Sequence, residues 1–566
     1  MHTQKKLKTS AAAMTYNTLC EYVGSQSAIS LWTQYADRIL QESRLSVDLD
    51  FSQRNMMLEM LDMISPRLPD SLQATTRDWA TVKRILEQGW DRYQYLQQIK
   101  TFDQASYTAD EPRIIQVLVV GGSVTQGNNC FAIKGGHGRH CAWATRLESL
   151  VNGLAGGLLI KVHNRALGGV NTKIGQAIWE YGTSPDDDFY PDIVINGHST
   201  NDAGLTTRKG GRDAVSEMAQ SFVRSVMSEK SCSKRPLLIW LDDYLGNTVN
   251  KIKEITILSQ EIQVLASYYG FSFVSFANVV RDWVYGDTHG TLFSPQWYSE
   301  DGNFVGELHP GQGMHLATSW IMAYHMLNLA TRHCSIEAWG KQALVRQDES
   351  RKTSGHTTIE ENAYYQPSPT GLPPMLTNNL RLEEVTKAWQ ADAEDRESSL
   401  GPCSQGNASQ CVFSWINGLA SNETSSSIQN VFAPFLKRQG KWSIGKVSNR
   451  HKFGWVPAEQ GSELLLEFRN LTQPVGKVTL FPMKSYGEKW SNSNAKIRFL
   501  SKADGATTWS ELTSVDVSGV HKRSTSETYV VGVEMPSRVP AHSTFRMSMK
   551  LTSGGTFKLM GLTVCG

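Results

Sequence analysis

The chain has no apolar run long enough for a membrane helix, which needs about 20 consecutive apolar residues. It also has little charge of one sign. Lys and Arg number 56 against 54 Asp and Glu, a net of +2. A general nucleic-acid or polyphosphate surface is therefore not expected. None of the 8 cysteines forms a C-x-x-C, which removes thioredoxin-like and zinc-ribbon readings. The N-terminus, MHTQKKLKTSAAAMTYNTLC, is basic but lacks the apolar stretch of a secretory signal. Three signatures of chemistry are missing as well. There is no Gly-Lys-Ser/Thr phosphate loop and no G-x-G-x-x-G. There is no G-x-S-x-G elbow either, because Gly197-His198-Ser199-Thr200-Asn201 lacks the final Gly.

What is present is a chain of 566 residues with 40 % hydrophobics and 19 % charged residues. That composition fills a sizeable core, and at roughly 150 residues per domain it suggests three or four domains. The even cysteine count and three N-x-S/T acceptors, Asn407, Asn422 and Asn470, point to a disulfide-bonded glycoprotein of the secretory route. The N-terminus points the other way. A secreted or lumenal protein is the expectation, with a cytoplasmic one as the alternative.

The order of apolar runs predicts the architecture. Helical spacing covers 77–98. Short apolar runs at 114–120, 158–162, 192–195, 237–241 and 271–276 read as buried strands. Helical patterns at 142–154, 172–181, 212–228, 253–268 and 313–329 alternate with them or follow them. This is an α/β domain, a three-layer α/β/α parallel sheet of flavodoxin-like type. Beyond 403 the character is β, with strands expected at 463–468, 477–482, 496–500, 528–533 and 544–551, as in a β-sandwich. The expected division is a helical region 1–105, an α/β domain 106–335, a linker 336–402 with a short helix at 382–395, and a β-sandwich 403–566.

In such a sheet ligands bind beyond the carboxyl ends of the strands. Four polar blocks fall there: GGSVTQG at 121–127, NRALGGVNT at 164–172, STND at 199–202 and GELHP at 306–310. Together they hold a Ser, a Gly-rich turn, an Asn and a His. That is the inventory of acyl transfer: nucleophile, oxyanion donors and general base.

As a set, in this order, the blocks resemble those of the SGNH/GDSL hydrolase superfamily, over about residues 113–335. Gly122 stands where Asp is usual, Ser199 where Gly is expected, and Gly306 where the family's Asp precedes its His. The resemblance implies a serine esterase with Ser123 as nucleophile and His309 as general base. It implies an oxyanion hole of the Ser123 and Gly169 N–H groups with the Asn201 side chain. The departure at Gly306 leaves the third member open among Glu307, Asp301 and a backbone carbonyl orienting the imidazole. The expected reaction is hydrolysis or transfer of an O-acyl group, such as acetyl on a carbohydrate. An inactive relative acting as a glycan- or surface-binding module is the alternative.

No metal or organic cofactor is required for this chemistry. His137, His140 and Cys141 fit no closed zinc site, and a loop stapled by Cys130–Cys141 is the better reading. Asp186, Asp187 and Asp188 read as a solvated turn. Trp240, Asp242, Asp243 and Tyr244 end a strand at the functional edge, facing substrate or capping the loop. Trp442, Trp455, Tyr486 and Trp490 are candidates for stacking on sugar rings, with a core role as the plainer reading. His451 to Trp455 reads as a turn entering a strand. The expected partner is a small-molecule or carbohydrate ester, with no nucleic acid and no transmembrane segment.

Overall fold

The computed structural model describes 51–101, 111–182 without 129 and 131–137, 190–285 without 228–234 and 247, and 309–354. It also describes 411–417, 424–566 without 447–452 and 523–525, and parts of 19–37 and 373–387. The chain forms two compact units. One holds Met1–Val119, Val124–Asn164 and Pro191–Pro402; the other holds Val120–Ser123, Arg165–Tyr190 and Cys403–Gly566.

The first sheet has six strands: β1 (Leu72–Ala74), β2 (Ile115–Gly121), β3 (Ile160–Asn164), β4 (Ile193–Gly197), β5 (Leu237–Asp242) and β6 (Ser272–Ser275). Their spatial order is β1-β6-β5-β4-β2-β3. The pairs β2–β3, β4–β5 and β5–β6 are parallel. Every residue of β4, β5 and β6 is buried, as in strands covered by helices on both faces, and each has an apolar run at its centre or start. The sixth strand was not expected. β1 adds antiparallel to β6 at the edge, and its three half-buried residues carry no strand periodicity to read.

Helices that pack around or between these strands include α1 (Trp79–Thr101), α2 (Trp143–Ala155), α3 (Ser199–Thr206), α4 (Gly211–Met227), α5 (Val249–Tyr269) and α6 (Gln312–Ser354). Asp78 starts α1 by accepting the Thr81 N–H at 3.2 Å, and Arg235 pairs with the same carboxylate at 2.5 Å. Arg84 of α1 meets the buried Asp192 at 2.9 Å, and Asp192 also accepts the Gln116 N–H. Arg113 is a second cation on the same carboxylate at 3.5 Å, and together these contacts tie α1 to the strand starts. The disulfide Cys20–Cys334 ties the N-terminal segment to α6. The last helix runs on to Ser354, well into the segment read as linker. A cavity of about 280 Å³ lies between α1, α2 and α6, lined by Ile115, Ile160, Ile193 and Leu237. Those residues begin the strands, so the cavity is at the opposite ends from Ser123.

Among the described residues of the second unit, twelve strands make two sheets. One contains β7 (Cys411–Ile416), β9 (Trp442–Lys446), β10 (Phe453–Pro457), β12 (Val475–Lys484), β15 (Glu527–Thr528), β16 (Val531–Val539) and β18 (Leu559–Cys565). The other runs β14-β13-β17-β11-β8, comprising β8 (Leu436–Arg438), β11 (Glu463–Phe468), β13 (Asn494–Lys502), β14 (Ser510–Ser518) and β17 (Thr544–Ser553). Period-two alternation builds the core. Ala495, Ile497 and Phe499 of β13 face inward, as do Leu464, Leu466 and Phe468 of β11 and Phe545, Met547 and Met549 of β17. Each of these side chains except Ala495 contributes about 1.5–3 kcal/mol by leaving water. Cys411 and Cys565 join the register-paired ends of β7 and β18.

Candidate active site

Ser123 follows Gly121-Gly122 at the end of β2 and opens the one-turn helix Ser123–Gln126. It is 5 % exposed. Gly127, with φ of 92°, ends that turn and donates its N–H to the Val124 carbonyl at 2.9 Å. Thr125, on the same turn, is fully buried. Its hydroxyl oxygen stands 2.7 Å from the Gly197 carbonyl oxygen and 2.5 Å from Oδ2 of Asp243. The Asn164 amide donates to the Thr125 carbonyl at 3.0 Å.

The Gly-rich block follows β3. Gly169 has φ of 76°, a left-handed conformation that only glycine adopts cheaply. Its carbonyl accepts the N–H of Thr528 at 3.2 Å. Nearby, the Ser414 hydroxyl donates to the Tyr181 carbonyl at 2.5 Å, at the end of the helix Thr172–Tyr181. The β-sandwich strands therefore hold both the loop and its helix. Nothing in the sequence signals these two contacts.

Asn201 is the third residue of α3, just beyond β4. Its Oδ1 is buried without a hydrogen-bond partner among the described residues. His309 is half-buried and lies just before α6. Glu307, Gly306 and Asp301 lie outside the described residues, as do His137, Asp186, Asp187, Asp188, Asn407, Asn422 and His451.

Two other histidines at this edge are weak bases. His198 is fully buried, and burial lowers its pKa to about 3. Its Nδ1 meets the Asn196 side-chain oxygen at 3.1 Å; that oxygen only accepts, so Nδ1 carries the proton. His315 is lowered to about 3 by burial, then by Arg146 and His309, and its Nδ1 accepts the Trp143 N–H at 3.2 Å. Asp242 is buried and accepts from Ser259 at 2.8 Å and Ser275 at 3.1 Å. Trp240 and Tyr244 are buried too, so these strand-end residues are packing and hydrogen-bonding groups rather than open substrate contacts.

Three further expectations are corrected or refined. Cys141 is bonded to Cys130, so it offers no thiolate to a metal. Trp442, Trp455 and Trp490 are 2 %, 0 % and 3 % exposed and belong to the sandwich interior, which excludes them as sugar platforms. Tyr486, 47 % exposed, alone of that set reaches solvent. Asn470 is exposed on the turn after β11, with φ of 47°.

No protein-family model matches the chain, and no curated protein sequence does. Among solved structures, it is similar to a two-domain esterase active on acetylated mannans, at 12 % identity, over 88 % of this chain and 98 % of that one, with a TM-score of 0.43. It is similar to an acetylxylan esterase from Geobacillus stearothermophilus at 14 % identity, over 38 % and 94 %, with a TM-score of 0.28. It is also similar to a lipolytic protein of the G-D-S-L family from Veillonella parvula at 11 % identity, over 37 % and 97 %, with a TM-score of 0.27. Likeness at this level carries no argument about chemistry, which rests on the chain's own residues.

Proposed function

We propose that the chain is a serine esterase that hydrolyses or transfers an O-acyl group through Ser123. The observation that supports this reading is positional. Ser123, the Gly169 loop and Asn201 each follow the carboxyl end of a strand, β2, β3 and β4, in the order of the acyl-transfer blocks. His309 supplies the base, as the resemblance of its block implies; His198 and His315 are fully buried, and burial lowers their pKa values to about 3.

In the proposed reaction the Ser123 hydroxyl oxygen bonds to the ester carbonyl carbon while His309 takes the hydroxyl proton. The carbonyl oxygen becomes an oxyanion, held by the N–H groups of Ser123 and Gly169 and the Asn201 amide. Collapse breaks the bond to the leaving alcohol, which receives the proton from His309. Water, or a second alcohol, then takes the acyl group from Ser123 by the same steps. Glu307 or Asp301 orients the imidazole, or a backbone carbonyl does so in a Ser-His dyad. We propose O-acetyl esters on carbohydrate as the substrate class, on the family resemblance and the appended β-domain. A secreted or lumenal location fits the disulfides Cys20–Cys334, Cys130–Cys141 and Cys411–Cys565, which persist in oxidising compartments. Among the described residues no helix is long and apolar enough to cross a membrane.

The test is labelling with a fluorophosphonate probe, with the modified peptide read by mass spectrometry. Modification of Ser123 in the native chain and none in Ser123→Ala is the expected result. A folded native chain that takes no label and cleaves no acetyl ester would overturn the reading in favour of a binding module.

A further inference from the structure

Thr125 carries one hydroxyl proton yet touches two oxygens. The Gly197 carbonyl, at 2.7 Å, can only accept. Oδ2 of Asp243, at 2.5 Å, is closer still. If Thr125 donated to a carboxylate, its oxygen would face the Gly197 oxygen with no proton between them. A charged carboxylate would also remain in a fully buried site, which is costly without a paired cation. Both contacts are satisfied together in one arrangement only, with a proton on Asp243.

We propose that Asp243 is a neutral carboxylic acid that positions the nucleophile's turn, donating to Thr125 while Thr125 donates to the Gly197 carbonyl. The chain of two hydrogen bonds links the end of β5 to the turn that begins at Ser123 and to the end of β4, three residues before Thr200 and four before Asn201. Gly197 is shaped to it: a Cβ there would stand 2.4 Å from Thr125 Oγ1 and 3.2 Å from Asp243 Oδ2. Burial and the Asp242 charge favour the neutral form of Asp243, whereas the Trp143 indole favours the charged one. Asp242 adds a like charge next to it, and Arg281 acts on Asp242. The Trp143 indole from α2 faces it, and the neighbouring His315 is held neutral by burial. Burial pushes the Asp243 pKa up to about 8 against the hydrogen bond of Thr125; the Asp242 charge adds to the rise, and the Trp143 indole and a backbone N–H oppose it.

The activity arm of the test rests on the esterase reading; the spectroscopic arm does not. At pH 7 the infrared difference between the native chain and Asp243→Asn should contain a protonated-carboxyl band that disappears as pH rises through about 8. In kcat against pH, the native chain should lose activity over the same range. Asp243→Asn, whose amide donates permanently, should lack that alkaline fall, while Asp243→Ala should lose about tenfold or more in kcat with KM held. Should Asp243→Ala not fold, Thr125→Val breaks the same chain and should give the same kcat loss. An ionised Asp243 in the infrared spectrum at pH 7 overturns the proposal. So does a folded Asp243→Asn variant that is as impaired as Asp243→Ala. If the native chain cleaves no ester at all, the esterase reading falls and the infrared band still decides the proton.

Discussion

Single residues carry the proposed chemistry, and their types were legible before their surroundings were. Ser123, Gly169, Asn201 and His309 could be picked from the sequence because each follows a recognisable strand or precedes a recognisable helix. The buried groups behind them could not, since a Thr and an Asp separated by 118 positions show no pattern until the chain folds. Asn201→Ala should lower kcat by about 10²–10³-fold with KM nearly constant, the usual cost of one oxyanion donor. Steady-state kinetics on an acetyl ester would read it, and an equal rise in KM without loss of kcat would remove Asn201 from the oxyanion hole. The stacking role imagined for Trp442, Trp455 and Trp490 failed for an equally physical reason. Aromatic residues alternate inward on strands as readily as outward, and only the sheet they join decides which face is wet.

Among the elements, most strands expected from an apolar sequence are present, but β7 (CVFSWI) and the fully buried β18 (LMGLTVC) were missed in spite of theirs. The five parallel strands and the inward-facing β11, β13 and β17 stood out. β14, with the polar sequence SELTSVDVS, and the two short strands β1 and β8 had no such signal. β15 is the shortest of all and the most consequential. One side pairs with β12, and the N–H of Thr528 turns the other way to the Gly169 carbonyl. That contact fixes the peptide next to the proposed oxyanion donor. Thr528→Pro, which removes the donor, should cut kcat by about tenfold to a hundredfold at nearly unchanged KM. Thr528→Val keeps the N–H and should keep kcat. Matched kinetics of the two variants separate the backbone bond from the side chain, and equal activity in both would show that the bond is dispensable.

The whole molecule should have its greatest stability near neutral pH, because its strongly shifted buried groups pull in opposite directions. His198, His315 and His325 are lowered to about 3 and His333 to about 4, each chiefly by burial. Folding holds them neutral, so their contribution is present above the unfolded pKa of about 6.5 and is lost as pH falls through it. Asp242 and Asp243 are raised to about 6 and about 8, again chiefly by burial. Their contribution is full below an unfolded pKa of about 4 and is lost as pH rises towards the folded values. Between about pH 4 and 6 four histidines outweigh two aspartates, and acid destabilises. Near pH 7 the protons taken up by the unfolded histidines balance those held by the folded aspartates; above it Asp243 dominates, and alkali destabilises. Thermal unfolding across pH 4–9 should therefore peak near about pH 7. His325→Leu should flatten the acid side and Asp243→Asn the alkaline side; a monotonic curve would contradict the assignment. One cross-link has a further meaning at this scale. Because Cys20 and Cys334 are 314 positions apart, a protease that nicks the backbone once anywhere between them leaves both pieces in a single covalent molecule. Such a clipped protein would migrate intact in a non-reducing gel and separate into fragments only when a thiol is added.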